Sequence, residues 1–118
     1  MSPSAGHRIF STPGASVYPL DLAQLEKKGR TRDELDTVMR WLTGYDQDEL
    51  DRHRVEGTTF ADFFAGAELH RNAALITGVI CGVRVEEIED PLMQQIRYLD
   101  KLVDELAKGR SLEKVLRS

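Results

Sequence analysis

Along much of this chain apolar residues recur at spacings of three and four, the signature of amphipathic helices. Tyr18, Leu22 and Leu25 share one such face, and Pro19 after Ser16 suits a first turn, where a missing N–H goes unnoticed. Lys27 and Lys28 fall in the last turn and Gly29 stops this helix. Thr31-Arg32-Asp33-Glu34 spells a capping box, in which hydroxyl and carboxylate satisfy two orphan N–H donors. Leu35, Val38, Met39 and Leu42 form the buried stripe of the next helix, with Gly44 as its stop. Asp46-Gln47-Asp48-Glu49 repeats the start signal for a short polar helix with Leu50 turned inward. Gly57-Thr58-Thr59 breaks that helix, and Thr59 caps a segment whose face is Phe60, Phe63 and Phe64.

The stretch Ala73–Gly82 reads two ways. Ile76, Thr77, Val79 and Ile80 are β-branched and suit a buried strand. Leu75, Ile76, Val79 and Ile80 also fit the helical period behind an Asn72 cap, and the expectation is a helix ended by Gly82. Val85–Ile88 is expected to form a short helical turn. Asp90-Pro91 opens the longest helix, Pro91–Lys108, with the stripe Leu92, Ile96, Leu99, Val103 and Leu106 and a stop at Gly109. Ser111 caps a last short helix carrying Leu112, Val115 and Leu116. Ahead of all this, Met1–Gly6 reads as a frayed end and Arg8–Phe10 as a short extended piece. The expected fold is all-α, a compact single domain over residues 1–118 with five to seven helices around the longest one.

Two stretches align at an offset of 38 residues, Leu42–Leu50 with Ile80–Ile88, sharing the order helix, glycine, apolar residue, spacers, paired acids, apolar residue. Either the chain is a duplication with units 31–68 and 69–106, or any two helix corners look this similar. A duplication requires Gly44 and Gly82 to end like elements.

Length and composition narrow the function classes. A chain of 118 residues and 13.3 kDa is one domain and buries a real core without disulfide or metal support. Hydrophobic residues at 41 % and charged ones at 31 % are ordinary for a globular protein. There is no run of about 18 apolar residues to span a membrane. Sixteen Lys and Arg against twenty Asp and Glu give a net charge of −4, which disfavours a general nucleic-acid binder. Met1–Gly14 lacks the basic start and apolar run of an export signal, and Cys81 is the lone cysteine; both point to the cytoplasm.

Candidate chemistry is sparse. Gly78, Gly82 and Ile88 have helix-turn-helix spacing, but Glu86, Glu87, Glu89 and Asp90 would face phosphate, and Asp46, Asp48, Glu49 and Asp51 spoil the corner at Gly44. Gly78-x-x-x-Gly82 reads as close helix packing in the core, and Cys81 among Val79, Ile80 and Val83 as a small buried hydrophobe. His7, His53 and His70 show no metal spacing, Glu86–Asp90 is no calcium loop, and phosphate-loop, nucleophile-elbow and dinucleotide motifs are absent. No catalytic residue, metal ligand or cofactor is therefore assigned.

Lys27, Lys28, Arg30 and Arg32 form the notable basic run, readable as a solvated helix end or as an anion site. Tyr18, Trp41, Tyr45 and Tyr98 are amphipathic aromatics, fit for core or for a pocket wall. Arg84 stands oddly between Val83 and Val85, at a corner where a helix start offers free amides. Tyr18, Lys28, Arg30, Trp41 and Arg84 are accordingly the candidate binding residues, on the condition that they converge on one concave pocket.

Five stretches carry a family resemblance: Ala15-Ser16-Val17-Tyr18-Pro19, Glu26–Thr31, Trp41-Leu42-Thr43-Gly44-Tyr45, Gly78–Glu86 and Ile96–Gly109. They resemble the bacterial family catalogued as domain of unknown function 2200, from about His7 to Arg117. The resemblance implies a small, single-domain, cytosolic bacterial protein and supplies no activity or catalytic residue. The favoured expectation is a non-enzymatic domain that binds a protein partner or assembles with itself. The alternatives are a small-molecule or anion site, with or without catalysis, and, least favoured, association with nucleic acid.

Overall fold

From Thr31 onward the α-helix starts stand where the capping signals place them. The computed structural model describes residues 14–117, with side chains from Val17 onward. Helix α1 spans Gly14–Lys27 and α2 Arg32–Thr43, and α2 opens on the full Thr31/Glu34 capping box. Helix α3, Gln47–Glu56, opens on a second box made by Asp46 and Glu49. Helix α4, Phe60–Ala65, is capped by the Thr59 hydroxyl, and α5, Pro91–Ala107, by the Asp90 carboxylate, which accepts from the Met93 N–H. Helix α6, Leu112–Val115, follows Ser111, whose side chain makes no capping bond. Pro19 sits deeper than expected, because α1 is already running at Gly14. The readings of Met1–Gly6 and Arg8–Phe10 lie outside the described residues.

The fold is all-α apart from one small feature, and that feature corrects the reading of Ala73–Gly82. Instead of a helix, Arg71–Leu75 makes a 3-10 turn capped by the His70 ring. A hairpin follows, with β1 (Val79–Ile80) antiparallel to β2 (Val83–Arg84) and Val79 opposite Arg84, Ile80 opposite Val83. Its loop is Cys81-Gly82, with φ of 53° and 79°, the two left-handed residues of a type I′ turn. Gly78, at φ 108°, breaks the helix that the apolar spacing suggests. A four-residue apolar spacing serves a short hairpin as well as a helix, and here the β-branched residues decide. Cys81 is therefore exposed rather than buried, and Gly78 and Gly82 belong to the hairpin rather than to a helix–helix contact, Gly78 lying close to the Lys101 side chain of α5. A second 3-10 turn, Val85–Glu87, leads into α5.

The two corners that align in sequence thus differ in structure. Gly44 ends α2 in a left-handed cap, whereas Gly82 sits at a hairpin tip. A side chain at Gly44 would also collide with the chain returning alongside it, since a Cβ there would stand 2.8 Å from the Glu68 carbonyl oxygen. That return strand of backbone donates from Glu68 N to Thr43 O (2.8 Å) and from His70 N to Leu42 O (3.1 Å), satisfying carbonyls at the end of α2.

Helix α5 is the centre of the packing. It is about 26 Å long at roughly 1.5 Å per residue, and it contacts α1, α2, α4, α6, β1 and the second 3-10 turn. Its buried face adds Tyr98 and Leu102 to the predicted Ile96, Leu99, Val103 and Leu106, because neighbours cover it from several sides. At its far end the buried Glu105 carboxylate takes both Arg117 nitrogens (2.6 and 2.7 Å) and Arg110 (3.1 Å), which ties down the C-terminal segment. Among the described residues no helix is long and apolar enough to cross a membrane.

Candidate functional site

A cleft opens where the first five helices meet. Helix α1 contributes Val17, Tyr18 and Asp21, and α2 contributes Leu35, Asp36 and Met39. Helix α3 adds Leu50, His53 and Arg54; Thr58, Phe60 and Phe63 of α4, and Leu99 of α5 complete the lining. The walls are mainly apolar because each helix turns its core stripe towards this point. The cleft takes up about 600 Å³ out to solvent, but side chains leave only about 40 Å³ of free room inside it. That is space for a water or two; anything larger enters by turning a side chain aside.

The polar groups in the cleft divide into satisfied and unsatisfied ones. Tyr18 donates its hydroxyl to Asp36 Oδ1 at 2.6 Å, and Gln47 Nε2 donates to Asp36 Oδ2 at 3.0 Å. Arg32 Nε stands 3.8 Å from the same carboxylate. Gln47 also donates to Asp51 (3.1 Å), which pairs with Arg54, and the Arg54 guanidinium lies 4.7 Å from the centre of the Tyr18 ring. These contacts close a ring of polar interactions that sews α1, α2 and α3 together and answers the charge of the buried Asp36. Burial, and then the hydrogen bond to Asp36, push the Tyr18 hydroxyl above its usual range. His53 shares a hydrogen bond of 2.9 Å with the Thr58 hydroxyl and packs against the rings of Tyr45 and Phe63.

Asp21 is the exception. Burial, and then the neighbouring charge of Asp100 on α5, push its carboxyl up from 3.8 to about 6. No hydrogen bond or cation among the described residues offsets this.

The five residues singled out in the sequence do not come together here. Tyr18 lines the cleft; the other four do not. Lys28 is exposed after the end of α1. Arg30 is a strut: its Nη2 donates to the Arg110 carbonyl at 2.9 Å and pairs with Glu34 at 2.9 Å. Trp41 is half-buried, stacked on the His70 ring with centroids 4.4 Å apart, and its buried indole N–H has no acceptor among the described residues. Arg84 is exposed on the hairpin, 3.6 Å from Glu86. Of the amides at the helix start beside Arg84, that of Val85 is already used, since it donates to the Gly78 carbonyl at 2.9 Å.

Sequence reasoning passed over Asp21, Asp36, His53, Arg54 and Thr58. Two of these left a signal. Asp21 stands three residues after Tyr18 and beside Leu22, on the edge of the apolar stripe of α1. Asp36 lies between Leu35 and Val38, inside the stripe of α2, where a carboxylate needs partners. His53 and Arg54 left little, because Leu50 alone marks the inward face of the otherwise polar α3, and Thr58 lies beyond the end of that helix.

Fold and cleft together define a small helical domain with a mainly apolar cavity that is lined by several ionisable groups. The chain belongs to a bacterial family, described as "Uncharacterized protein conserved in bacteria (DUF2200)", which matches residues 8–117. It is also similar to a solved protein, "Crystal structure of uncharacterized protein SP1917", at 43 % identity and a TM-score of 0.87, over 98 % of this chain and 93 % of that one. No curated protein matches it.

Proposed function

We propose that this protein is a binding domain for a small, mainly apolar molecule, held in the cleft between the first five helices. The observation that carries the reading is the convergence of apolar walls from five helices on a cavity lined by the Asp21 carboxylate, which no hydrogen bond or cation among the described residues answers. An apolar cavity with a few convergent polar groups and a perturbed titratable residue is what ligand sites look like. The anion reading loses its support, because Lys28, Arg30 and Arg84 stand outside the cleft. A fragment screen followed by amide NMR tests the proposal. Bound fragments should shift signals of Tyr18, Asp21, Met39, His53 and Phe63; hits that leave these unmoved would overturn it.

A second reading, assembly with another copy or a protein partner, draws on a different observation. Among the described residues, Leu75, Val79 and Val83 are three of the five large apolar side chains that stand exposed, and all lie in the segment 75–83. Exposed apolar residues gathered in one segment favour contact with a partner. Light scattering on an eluting peak decides it: assembly should give a mass above 13.3 kDa that returns to the monomer value in Val79→Lys/Val83→Lys. A monomer at high concentration removes self-assembly.

A further inference from the structure

We infer that the cleft selects a protonated amine carried on a small apolar body, with Asp21 as its counter-ion and the Tyr18, Phe60 and Phe63 rings as packing walls. The inference rests on the ligand-binding reading above and adds the ligand's charge.

Three features of the cleft lead to it. First, its two carboxylates are not equivalent. Asp36 is already answered by Tyr18, Gln47 and Arg32, which offset its charge. Asp21, half-buried, is answered by no group among the described residues. Secondly, the cation in the lining, Arg54, is committed to Asp51 and lies against Tyr18, so it is not free to hold an anionic ligand. Its place over the ring shows that this aromatic wall accepts a cation, the arrangement that ring quadrupoles favour. Thirdly, the charge of Asp100 on α5, which pairs with Arg97 at 2.7 Å, adds to the negative potential felt at Asp21.

The physical argument is one of compensation. A carboxylate taken partly out of water and set near another negative charge holds a proton more tightly than usual, up to about pH 6. An ammonium group placed beside it offsets the same two penalties. At neutral pH, Asp21 is ionised and the cation binds; as pH falls through about 6, Asp21 takes a proton and the attraction is lost. His53, Arg54 and Asp36 also face the cavity, and Arg32 stands behind Asp36.

The test uses three molecules of one shape: benzylammonium, benzyl alcohol and benzoate, titrated calorimetrically into the full chain at pH 7.5 and pH 5. The expected result is roughly tenfold tighter binding of the ammonium than of the alcohol at pH 7.5, with benzoate weakest. At pH 5 the preference should shrink to about twofold. In Asp21→Asn the preference should vanish while the alcohol binds as before; Asp100→Asn, which keeps Asp21, should reduce it only in part. Equal affinities at pH 7.5, or benzoate tightest, overturn the inference and leave the binding reading standing. No binding by any of the three, with no shift of cleft amide signals, overturns the reading as well.

Discussion

Asp21 shows how one side chain sets a measurable property. Its carboxyl holds a proton up to about pH 6 in the folded chain, against about 3.8 when exposed. The folded state therefore binds more protons than the unfolded state between these values. The contribution to stability is full below about pH 3.8 and is lost as pH rises through about 6. Asp21→Asn should stabilise the protein at pH 7 by roughly 1 kcal/mol, a figure reduced for screening at a partly exposed group. It should also flatten the fall in stability between pH 4 and 6.5; urea titrations across that range measure both. Tyr18→Phe acts in the opposite sense. It removes the hydroxyl from the buried Asp36, a charge-assisted bond worth about 1.5–3 kcal/mol. The same urea titrations at pH 7 should show that loss. Neither effect is written in local sequence. Tyr18 and Asp36 are eighteen residues apart, and Asp21 meets Asp100 only because α1 packs on α5.

At the scale of elements, the chain's punctuation is unusually legible. Thr31/Glu34 and Asp46/Glu49 close two full capping boxes, and Gly29, Gly44, Gly57 and Gly109 all take left-handed φ values at helix ends. Gly44 carries most, because its φ of 76° coincides with the close approach of the Glu68 carbonyl. Gly44→Ala should cost about 2 kcal/mol or more, read as a lowered thermal midpoint. The hairpin makes the opposite prediction. Cys81 adopts φ 53° at a position that prefers Asn or Gly. Cys81→Asn should therefore raise stability by about 0.5–1 kcal/mol, seen as a midpoint higher by a few degrees. The same residue explains the misread element. Cys is a poor signal for a type I′ turn, and without Asn or Asp before Gly82 the helical period of Leu75, Ile76, Val79 and Ile80 wins on paper.

On the scale of the whole molecule, α5 organises the rest, and the C-terminal segment is fastened to it through charge. Glu105 is buried and held by Arg110 and Arg117, while Arg30 reaches across to the Arg110 carbonyl. Glu105→Gln leaves Arg117 half-paired in a part-buried place, and the expected cost is about 2–3 kcal/mol. Hydrogen exchange should show the loss first in residues 110–117, as the segment detaches before the core opens. The acidic total of the chain is likewise placed rather than spread. Asp46, Asp48 and Glu49 open α3, and Asp90 caps α5 with Glu86 and Glu87 just ahead of it, where negative charge answers the helix dipole.

By itself, the sequence determined what local rules control. Helix starts follow from hydroxyls and carboxylates bonding N–H groups three residues on; helix ends follow from glycines that alone take left-handed backbone cheaply; buried faces follow from spacings of three and four. It also determined the family, through stretches spread along nearly the whole chain. The tertiary structure decided the rest: the hairpin at Cys81-Gly82, the scattering of Lys28, Arg30, Trp41 and Arg84, and the cleft. A cavity is the space between elements, and the proton affinity of a carboxylate depends on its burial and on charges brought near by packing. Tyr18 was legible because an aromatic on a helical stripe points inward wherever that helix lies. Asp21 became a site only when α1 met α5, and no pattern along the chain encodes that distance.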